Sequence, residues 1–234
     1  MNIIRVMSGG APKAVFAQLA PHFEQASGHR VEFIYAVMTA LREKLLKGDA
    51  ADVLVMPVPL LDGYVKEKIA RADGRATLGN IGVSVAVKEG APRPDIATPE
   101  KFRAALLNAS AILHSRPGAT PSGTHMAKVM EQLGIAEAMA EKIVHLPSLE
   151  GGVDRLRKGE ADFGIYPTSE IVNVEGLTVI GPLPAELQLT IVYGAAVTMR
   201  STAPEAARGF IDFVREPGNR ARWADAGFEL HRAG

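Results

Sequence analysis

Apolar and polar positions along the chain follow two alternating periods, one typical of strands and one typical of amphipathic helices. Short apolar runs predict the first three strands, at 3–6, 31–35 and 53–56. Each run is followed by a segment in which apolar residues recur every three or four positions, as on one face of a helix. This order favours an α/β fold, with a mostly parallel sheet flanked by helices.

The same alternation begins again after the apolar, β-branched run at 81–87. We predict a second α/β lobe there and two connecting strands that act as a hinge, near 82–87 and 189–196. The expected lobes are residues 1–82 with 196–234 (lobe I, discontinuous) and residues 83–195 (lobe II). Open α/β sheets bind ligands at the ends of their strands, so a cleft between the lobes is the predicted site.

Small residues occupy the turn from the first strand to the first helix, at Ser8, Gly9 and Gly10. Such a turn directs backbone N–H groups at one point, and a helix N-terminus adds partial positive charge there. A similar helix start recurs at Ser122, Gly123 and Thr124, after a proline. We predict that both turns bind one small anion. The alternative is that they are an ordinary turn and a helix cap without a ligand.

Further candidate ligand groups lie at predicted strand ends and helix starts: Thr39, Arg42, Arg116, His125, Tyr166 and Ser169. Arginine binds carboxylates through a two-pronged fork, and a neutral histidine donates a hydrogen bond or acts as a base. The structural alternatives are a cap for Thr39, solvated side chains for the arginines and His125, and a core position for Tyr166. Glu170 would repel an anion unless it were protonated or served as an acid–base partner.

Composition excludes several functions. Lys and Arg together equal Asp and Glu, at 26 each, so no basic field favours nucleic acid. The sequence has no cysteine, its histidines lack metal-ligand spacing, and no glycine-rich nucleotide motif occurs. We therefore expect no metal and no cofactor. No segment with the features of a signal peptide precedes the first strand, so we expect a periplasmic protein if such a peptide was removed and a cytoplasmic one otherwise.

Five motifs, in this order and spacing, resemble those of the periplasmic solute-binding proteins of ABC transporters, in the molybdate-binding-like branch. They are Met7–Gly10, Phe23–Val31, Leu41-Arg42 with Gly48–Val53, Pro121–Gly123 and Gly159–Ile165. The resemblance implies two α/β lobes that are joined by two strands and close on an anion. Molybdate binders of this branch hold the oxyanion mainly with neutral hydroxyls and backbone N–H groups.

Three positions differ from that branch. Gly10 and Met38-Thr39 stand where serines are usual, and Tyr166 lies one residue before the expected tyrosine. These differences favour an anion other than molybdate. The segment 169–188 resembles a sub-branch in which one enzyme, an aconitate isomerase, is known.

Two functions are consistent with these features. The first is a non-catalytic binding protein for a small anion, with an organic polycarboxylate preferred to molybdate; if exported, it would work with an ABC transporter membrane component. The second is a cofactor-independent isomerase or tautomerase of an unsaturated polycarboxylate. In that enzyme His125, Glu170 or Tyr166 would carry the proton, and helix N-termini would stabilise the enediolate.

Overall fold

The computed structural model describes residues 1–146 and 152–229, so residues 230–234 of the expected first lobe lie outside the described part. The chain forms two compact units. Unit 1 is Met1–Ile81 with the chain from Ile191 onward, and unit 2 is Gly82–Thr190. The second crossing point comes earlier than the expected boundary at 196, because the strand that begins at Ile191 pairs entirely within unit 1.

Strands and helices alternate through the first half of each unit. The strands are β1 (Ile3–Ser8), β2 (Arg30–Tyr35), β3 (Val53–Pro57), β4 (Ala76–Ile81), β5 (Val83–Lys88), β6 (Ile112–Ser115), β7 (Ile143–Leu146), β8 (Phe163–Pro167), β9 (Leu177–Pro182), β10 (Ile191–Val197) and β11 (Phe228–Glu229). The helices are α1 (Lys13–Ser27), α2 (Met38–Lys47), α3 (Val58–Lys66), α4 (Pro99–Asn108), α5 (Pro121–Gln132), α6 (Ala136–Met139), α7 (Gly152–Lys158), α8 (Pro204–Val214) and α9 (Arg220–Asp225). Short 3₁₀ turns lie at Thr168–Glu170, Ala185–Leu187 and Pro217–Asn219.

The two sheets share the arrangement of five strands, and unit 1 has β11 as a sixth strand at its edge. Unit 1 has the strand order β11-β4-β10-β3-β1-β2, and unit 2 has the order β7-β6-β8-β5-β9. In each sheet three strands are parallel, β3-β1-β2 in unit 1 and β8-β6-β7 in unit 2. In unit 1, β10 pairs antiparallel with β3 and with β4. In unit 2, β5 pairs antiparallel with β8 and with β9 in the same way.

Both sheets are therefore mixed, whereas the sequence pattern predicted mostly parallel sheets. Parallel neighbours need a long crossover connection, and β5 and β10 each enter their sheet directly from the other unit. The hinge strand expected near 82–87 corresponds to β5. The apolar run at 81–87 begins one residue before Gly82, at the end of β4, a strand that the pattern did not indicate.

Aromatic side chains form much of the core of unit 1. Phe16 on α1 lies 5.5 Å from Phe33 on β2 and 5.8 Å from Phe210 on α8, measured between ring centroids. Trp223 on α9 meets Phe16 edge-on and donates its indole N–H to the Val214 carbonyl. These contacts hold the C-terminal helices against the first half of the unit.

Aliphatic residues dominate the core of unit 2. The alternating side chains of β5 at Val83, Val85 and Val87 are buried together with Phe102 of α4 and Met126 of α5. The parallel strands of each sheet end at one edge, since their carboxyl ends point the same way. That edge carries the turns that the sequence identified as candidate ligand sites.

Candidate functional site

The turn after β1 uses its own polar groups internally. The Gly9 N–H donates to the Val55 carbonyl at 3.1 Å, and the fully buried Ser8 hydroxyl donates to the Gly9 carbonyl at 2.9 Å. The Gly10 carbonyl accepts from the Lys13 N–H at 3.0 Å. The predicted role of Gly9 as an N–H donor to the anion is therefore corrected, because its N–H completes the sheet instead.

Helices α1 and α2 begin at this edge without a side-chain cap. Pro12 and Val37 occupy the two N-cap positions, and neither side chain caps its helix. The first N–H groups of a helix have no partner within the helix, so both starts present donors and partial positive charge. The two starts are neighbours, since β1 pairs with β2 and the Ala36 N–H donates to the Ser8 carbonyl.

Thr39 and Arg42 lie on α2 but differ from their predicted roles. The helix begins at Met38, so Thr39 belongs to its first turn and is exposed, whereas Val37 is the N-cap. The Arg42 guanidinium binds both carboxylate oxygens of Glu67, at 3.1 and 3.3 Å, and lies over the Tyr64 ring. Because Glu67 neutralises the charge of Arg42, this arginine is not part of the candidate site.

Two residues of unit 1 border the first turn: Met38, which the sequence identified only as standing where a serine is usual, and Tyr193, which it did not single out. A β-carbon built on Gly9 would lie 2.7 Å from the Met38 Cε methyl and 3.0 Å from the Tyr193 hydroxyl oxygen. Tyr193 is buried on β10. It belongs to an apolar strand pattern, and its proximity to Gly9 depends on strand pairing that the sequence does not display.

The start of α5 in unit 2 is capped by its own chain. The Thr120 hydroxyl accepts from the Gly123 N–H at 3.0 Å and shares a hydrogen bond of 3.1 Å with the buried Ser122 hydroxyl. Thr124 accepts from the Gly118 N–H and donates to the Thr120 carbonyl. The cap was predicted as the alternative to anion binding. Threonine directly before Pro121 is the signal that identifies it.

Gly123 is required there for close packing. A β-carbon at this position would lie 2.5 Å from the Ser115 carbonyl oxygen and 2.6 Å from that of Arg116. The glycine therefore lets the first turn of α5 rest on the end of β6. Arg116 itself is exposed just beyond that strand.

Three imidazoles lie close to this edge of unit 2. His125 Nε2 is 2.7 Å from the Leu187 carbonyl oxygen, so Nε2 carries the proton and Nδ1 offers a lone pair in the neutral ring. Burial lowers the pKa of His114 to about 4. Burial and the charge of Arg116 lower the pKa of His145, whose ring meets that of His114 edge-on at 5.2 Å.

Tyr166 and Ser169 are buried within unit 2. The Tyr166 ring belongs to a cluster with Leu156 and Ile171, and its hydroxyl donates to the Gly152 carbonyl at 3.1 Å. The predicted ligand role of Tyr166 is thus replaced by a core position. The Ser169 hydroxyl is also buried, and it makes no hydrogen bond within the described ranges 1–146 and 152–229.

Glu170 is the carboxyl with the most altered titration in unit 2. It ends the 3₁₀ turn after β8, and burial raises its pKa from 4.5 to about 7. Burial raises the pKa of Tyr166 too, and the charge of Glu170 adds to that effect. A carboxyl that titrates near neutrality can both accept and release a proton under ordinary conditions.

We expect Glu170 to destabilise the protein progressively as the pH rises from 4.5 to 7. Because the folded-state pKa is the higher one, the folded carboxyl keeps a proton that the unfolded chain has already released. Glu170→Gln should remove this loss and raise the free energy of unfolding at pH 8 by about 1–3 kcal/mol relative to wild type. Urea unfolding followed by circular dichroism measures it. If the free energies of unfolding of Glu170→Gln and the wild type differ by the same amount at pH 5 and at pH 8, the raised pKa of Glu170 is wrong.

Comparison with known proteins places these features in context. Residues 4–229 match the family profile described as bacterial extracellular solute-binding protein. An aconitate isomerase from Pseudomonas sp. is 26% identical over 220 residues, 92% of this chain and 82% of that protein. Molybdate-binding protein ModA from Rhodobacter capsulatus is 26% identical over 101 residues, 43% of this chain and 40% of that protein.

Solved structures confirm the predicted fold class. The periplasmic molybdate-binding protein of Azotobacter vinelandii has a TM-score of 0.81 at 20% identity, covering 98% of this chain and all of that one. The sulfate-binding protein SubI of Mycobacterium tuberculosis has a TM-score of 0.79 at 20% identity, covering 97% and 86%. The described residues contain no helix long and apolar enough to cross a membrane. They also contain no cluster of three or more side chains suited to a metal ion.

Proposed function

The chain belongs to the bacterial extracellular solute-binding protein family, and on that basis we propose that it binds a small organic polycarboxylate. Its relatives include a molybdate-binding protein, in agreement with the motifs of the molybdate-binding-like branch. A solute-binding role implies export and delivery of the ligand to the membrane component of an ABC transporter. The choice of a carboxylate over an oxyanion is supported by the similarity to aconitate isomerase, which spans nearly the whole chain.

The uncapped starts of α1 and α2 are the observation that carries this proposal. Both present first-turn N–H groups at one edge of the unit 1 sheet, and no side chain caps either of them. A carboxylate oxygen accepts such donors well, because each hydrogen bond is charge-assisted and the helix dipole adds to it. In unit 2, taken by itself, the exposed Arg116 is a cation suited to a carboxylate.

Titration calorimetry on protein freed of bound ligand by unfolding and refolding tests the ligand class. Citrate, cis-aconitate and trans-aconitate should bind at least about 100-fold more tightly than molybdate, tungstate and sulfate, a difference of about 2.8 kcal/mol. Arg116→Ala should weaken citrate about tenfold or more and leave sulfate nearly unchanged. Tighter binding of molybdate than of every carboxylate would overturn the proposal.

A second candidate function is isomerisation of an unsaturated polycarboxylate, which the similarity to aconitate isomerase favours. In a 1,3-proton shift a base removes a proton from a carbon beside a carboxylate, the double bond moves, and a proton returns two carbons away. Glu170, with a pKa of about 7, and His125 Nδ1 are the groups in unit 2 suited to this transfer. No cofactor is needed, since the step moves protons and leaves the oxidation state unchanged.

Proton nuclear magnetic resonance in D₂O distinguishes the two functions. An isomerase would convert cis-aconitate to the trans isomer and incorporate deuterium, and Glu170→Gln would abolish or strongly slow both changes. A binding protein would bind the same compound in calorimetry and leave its spectrum unchanged over hours. If the wild type converts cis-aconitate and both Glu170→Gln and His125→Gln convert it equally well, these two residues do not carry the proton.

A further inference from the structure

A cavity of about 440 Å³ lies in unit 1 where α2 and α3 end and β3 begins. This is the edge of the sheet away from the starts of α1 and α2, since parallel strands begin at one edge and end at the other. Ala51 and Ile69 give the cavity apolar walls. Leu46 also lines it and is 66% exposed, and Met199, next to the lining residue Arg200, is 49% exposed. An open apolar surface of this kind is typical of an interaction site.

Three cations stand around this apolar surface. Lys68 and Arg200 line the cavity, and Lys47 follows Leu46 at the end of α2. None of the three forms an ion pair with a carboxylate of residues 1–146 and 152–229. We call the cavity, the two exposed apolar side chains Leu46 and Met199 and these three cations the Lys68 surface.

The acidic residues at the cavity do not offset these charges. The Asp49 carboxylate lies 3.3 Å from the Lys44 ammonium nitrogen, and the Glu67 carboxylate binds the Arg42 guanidinium at 3.1 Å. Each carboxylate is thus neutralised by a cation of α2. The Lys68 surface therefore keeps a net positive charge, which complements an acidic partner.

The backbone of Lys68 has a conformation that suits glycine. Its φ is 57°, and among the described residues it is the one non-glycine residue with a positive φ. The helix α2 ends at the same cavity on a glycine, Gly48, with a φ of 91°. A side chain in the left-handed region costs free energy that glycine avoids. A strained lysine at a cavity points to a role for its ammonium group.

We propose that the Lys68 surface docks a partner protein through an acidic segment that carries an apolar side chain. The apolar side chain occupies the cavity, and the neighbouring carboxylates pair with Lys68, Arg200 and Lys47. A small anion would leave Leu46 and Met199 uncovered, whereas a protein segment covers the cavity and these side chains together. An anionic membrane also attracts cations, but a cavity fits a protruding side chain better than a flat surface.

Docking at this edge does not depend on which ligand the protein binds. The Lys68 surface lies at the ends of α2 and α3, whereas the candidate ligand groups of unit 1 lie at the starts of α1 and α2. Variants of the Lys68 surface should therefore bind cis-aconitate or molybdate like the wild type. The docking proposal and the proposed ligand class can each fail without the other.

Fluorescence anisotropy on the full chain tests the proposal with a labelled peptide of two leucines between two runs of three glutamates. This peptide should bind at least about tenfold more tightly at 50 mM salt than one with glutamines in place of the glutamates, and the difference should shrink at 300 mM salt. Lys68→Gly and Arg200→Gln should each weaken binding about two- to fivefold, and Leu46→Ser about fivefold. Lys128→Gln, which removes an exposed charge on α5 of unit 2, is the matched control and should bind like the wild type.

The substitution Lys68→Gly also separates a role in docking from a role in folding. Because glycine adopts a positive φ without strain, the thermal midpoint of unit 1, followed by Trp223 fluorescence, should rise by about 1–4 °C while docking weakens. If Lys68→Gly, Arg200→Gln and Leu46→Ser all bind the glutamate peptide as tightly as Lys128→Gln does, the proposal is wrong. It is also wrong if the wild type binds vesicles of phosphatidylserine and phosphatidylcholine through Lys68 but prefers neither peptide, since the surface would then bind a membrane.

Discussion

Replacing Asp52 with alanine is expected to lower the free energy of unfolding of unit 1 by about 3–5 kcal/mol. The buried Asp52 carboxylate accepts from the Arg5 N–H at 2.9 Å, the Ser201 hydroxyl at 2.7 Å and the Thr202 N–H at 3.2 Å. It thus ties the first strand, the third strand and the segment after β10 together. Alanine would leave the two N–H groups and the Ser201 hydroxyl without their charged acceptor, in a part of the protein that water reaches poorly.

The single tryptophan makes this prediction measurable for one unit. Trp223 is buried in the aromatic core of unit 1, so its fluorescence during urea unfolding reports on that unit. Asp162→Ala provides a matched control. The Asp162 carboxylate accepts from the Ser110 and Ala111 N–H groups in unit 2, but it is exposed, and its loss should cost about 1 kcal/mol or less. If Asp52→Ala and the wild type have the same urea midpoint of unfolding by Trp223 fluorescence, the role assigned to Asp52 is wrong.

The two aspartates occupy equivalent positions in the two units. Asp52 precedes β3 and bonds to the start of β1, and Asp162 precedes β8 and bonds to the start of β6. Asp52 also donates its backbone N–H to the Arg5 carbonyl in β1, and Asp162 donates its own to the Ala111 carbonyl directly before β6. The sequence shows this equivalence as two similar motifs, Gly48–Val53 and Gly159–Phe163, and the shared strand order explains why both have the same form.

Sequence periodicity predicted the elements whose contacts are local. The strands β1, β2 and β3 lie within two residues of their predicted positions. The pattern did not separate the end of β4 from β5, because the apolar run at 81–87 includes residues of both strands. This division does not change the hydrophobic period, so periodicity alone could not reveal it.

The candidate site was less predictable for a physical reason. The glycine-rich turn and the helix starts are local features, and the sequence identified them. Which donors remain for a ligand depends on partners far along the chain: Val55 accepts from Gly9, and Glu67 neutralises Arg42. Tyr193 comes next to Gly9 only through the pairing of β10 with β3. Such partners are set by tertiary structure and leave no spacing in the sequence.

Gly9→Val is expected to weaken binding of cis-aconitate more than about 100-fold, the largest effect on the proposed site. The valine β-carbon would lie where the Met38 methyl and the Tyr193 hydroxyl now approach, and its methyl groups would push both away. The branched side chain would then fill the space beside the first turns of α1 and α2. An anion could no longer come within the 2.7–2.9 Å at which charge-assisted hydrogen bonds form.

Two further variants separate loss of the site from loss of the fold. Gly9→Ala adds only the β-carbon, which the flexible end of Met38 can avoid, so the protein should stay folded and bind about tenfold or more weakly. Gly63→Ala, in the interior of α3, adds a β-carbon that meets nothing within 4 Å and should bind like wild type. Calorimetry gives the affinities, and Trp223 fluorescence gives the stability of unit 1. If Gly9→Val and Gly9→Ala both fold and bind cis-aconitate as tightly as Gly63→Ala, the anion does not bind at the starts of α1 and α2.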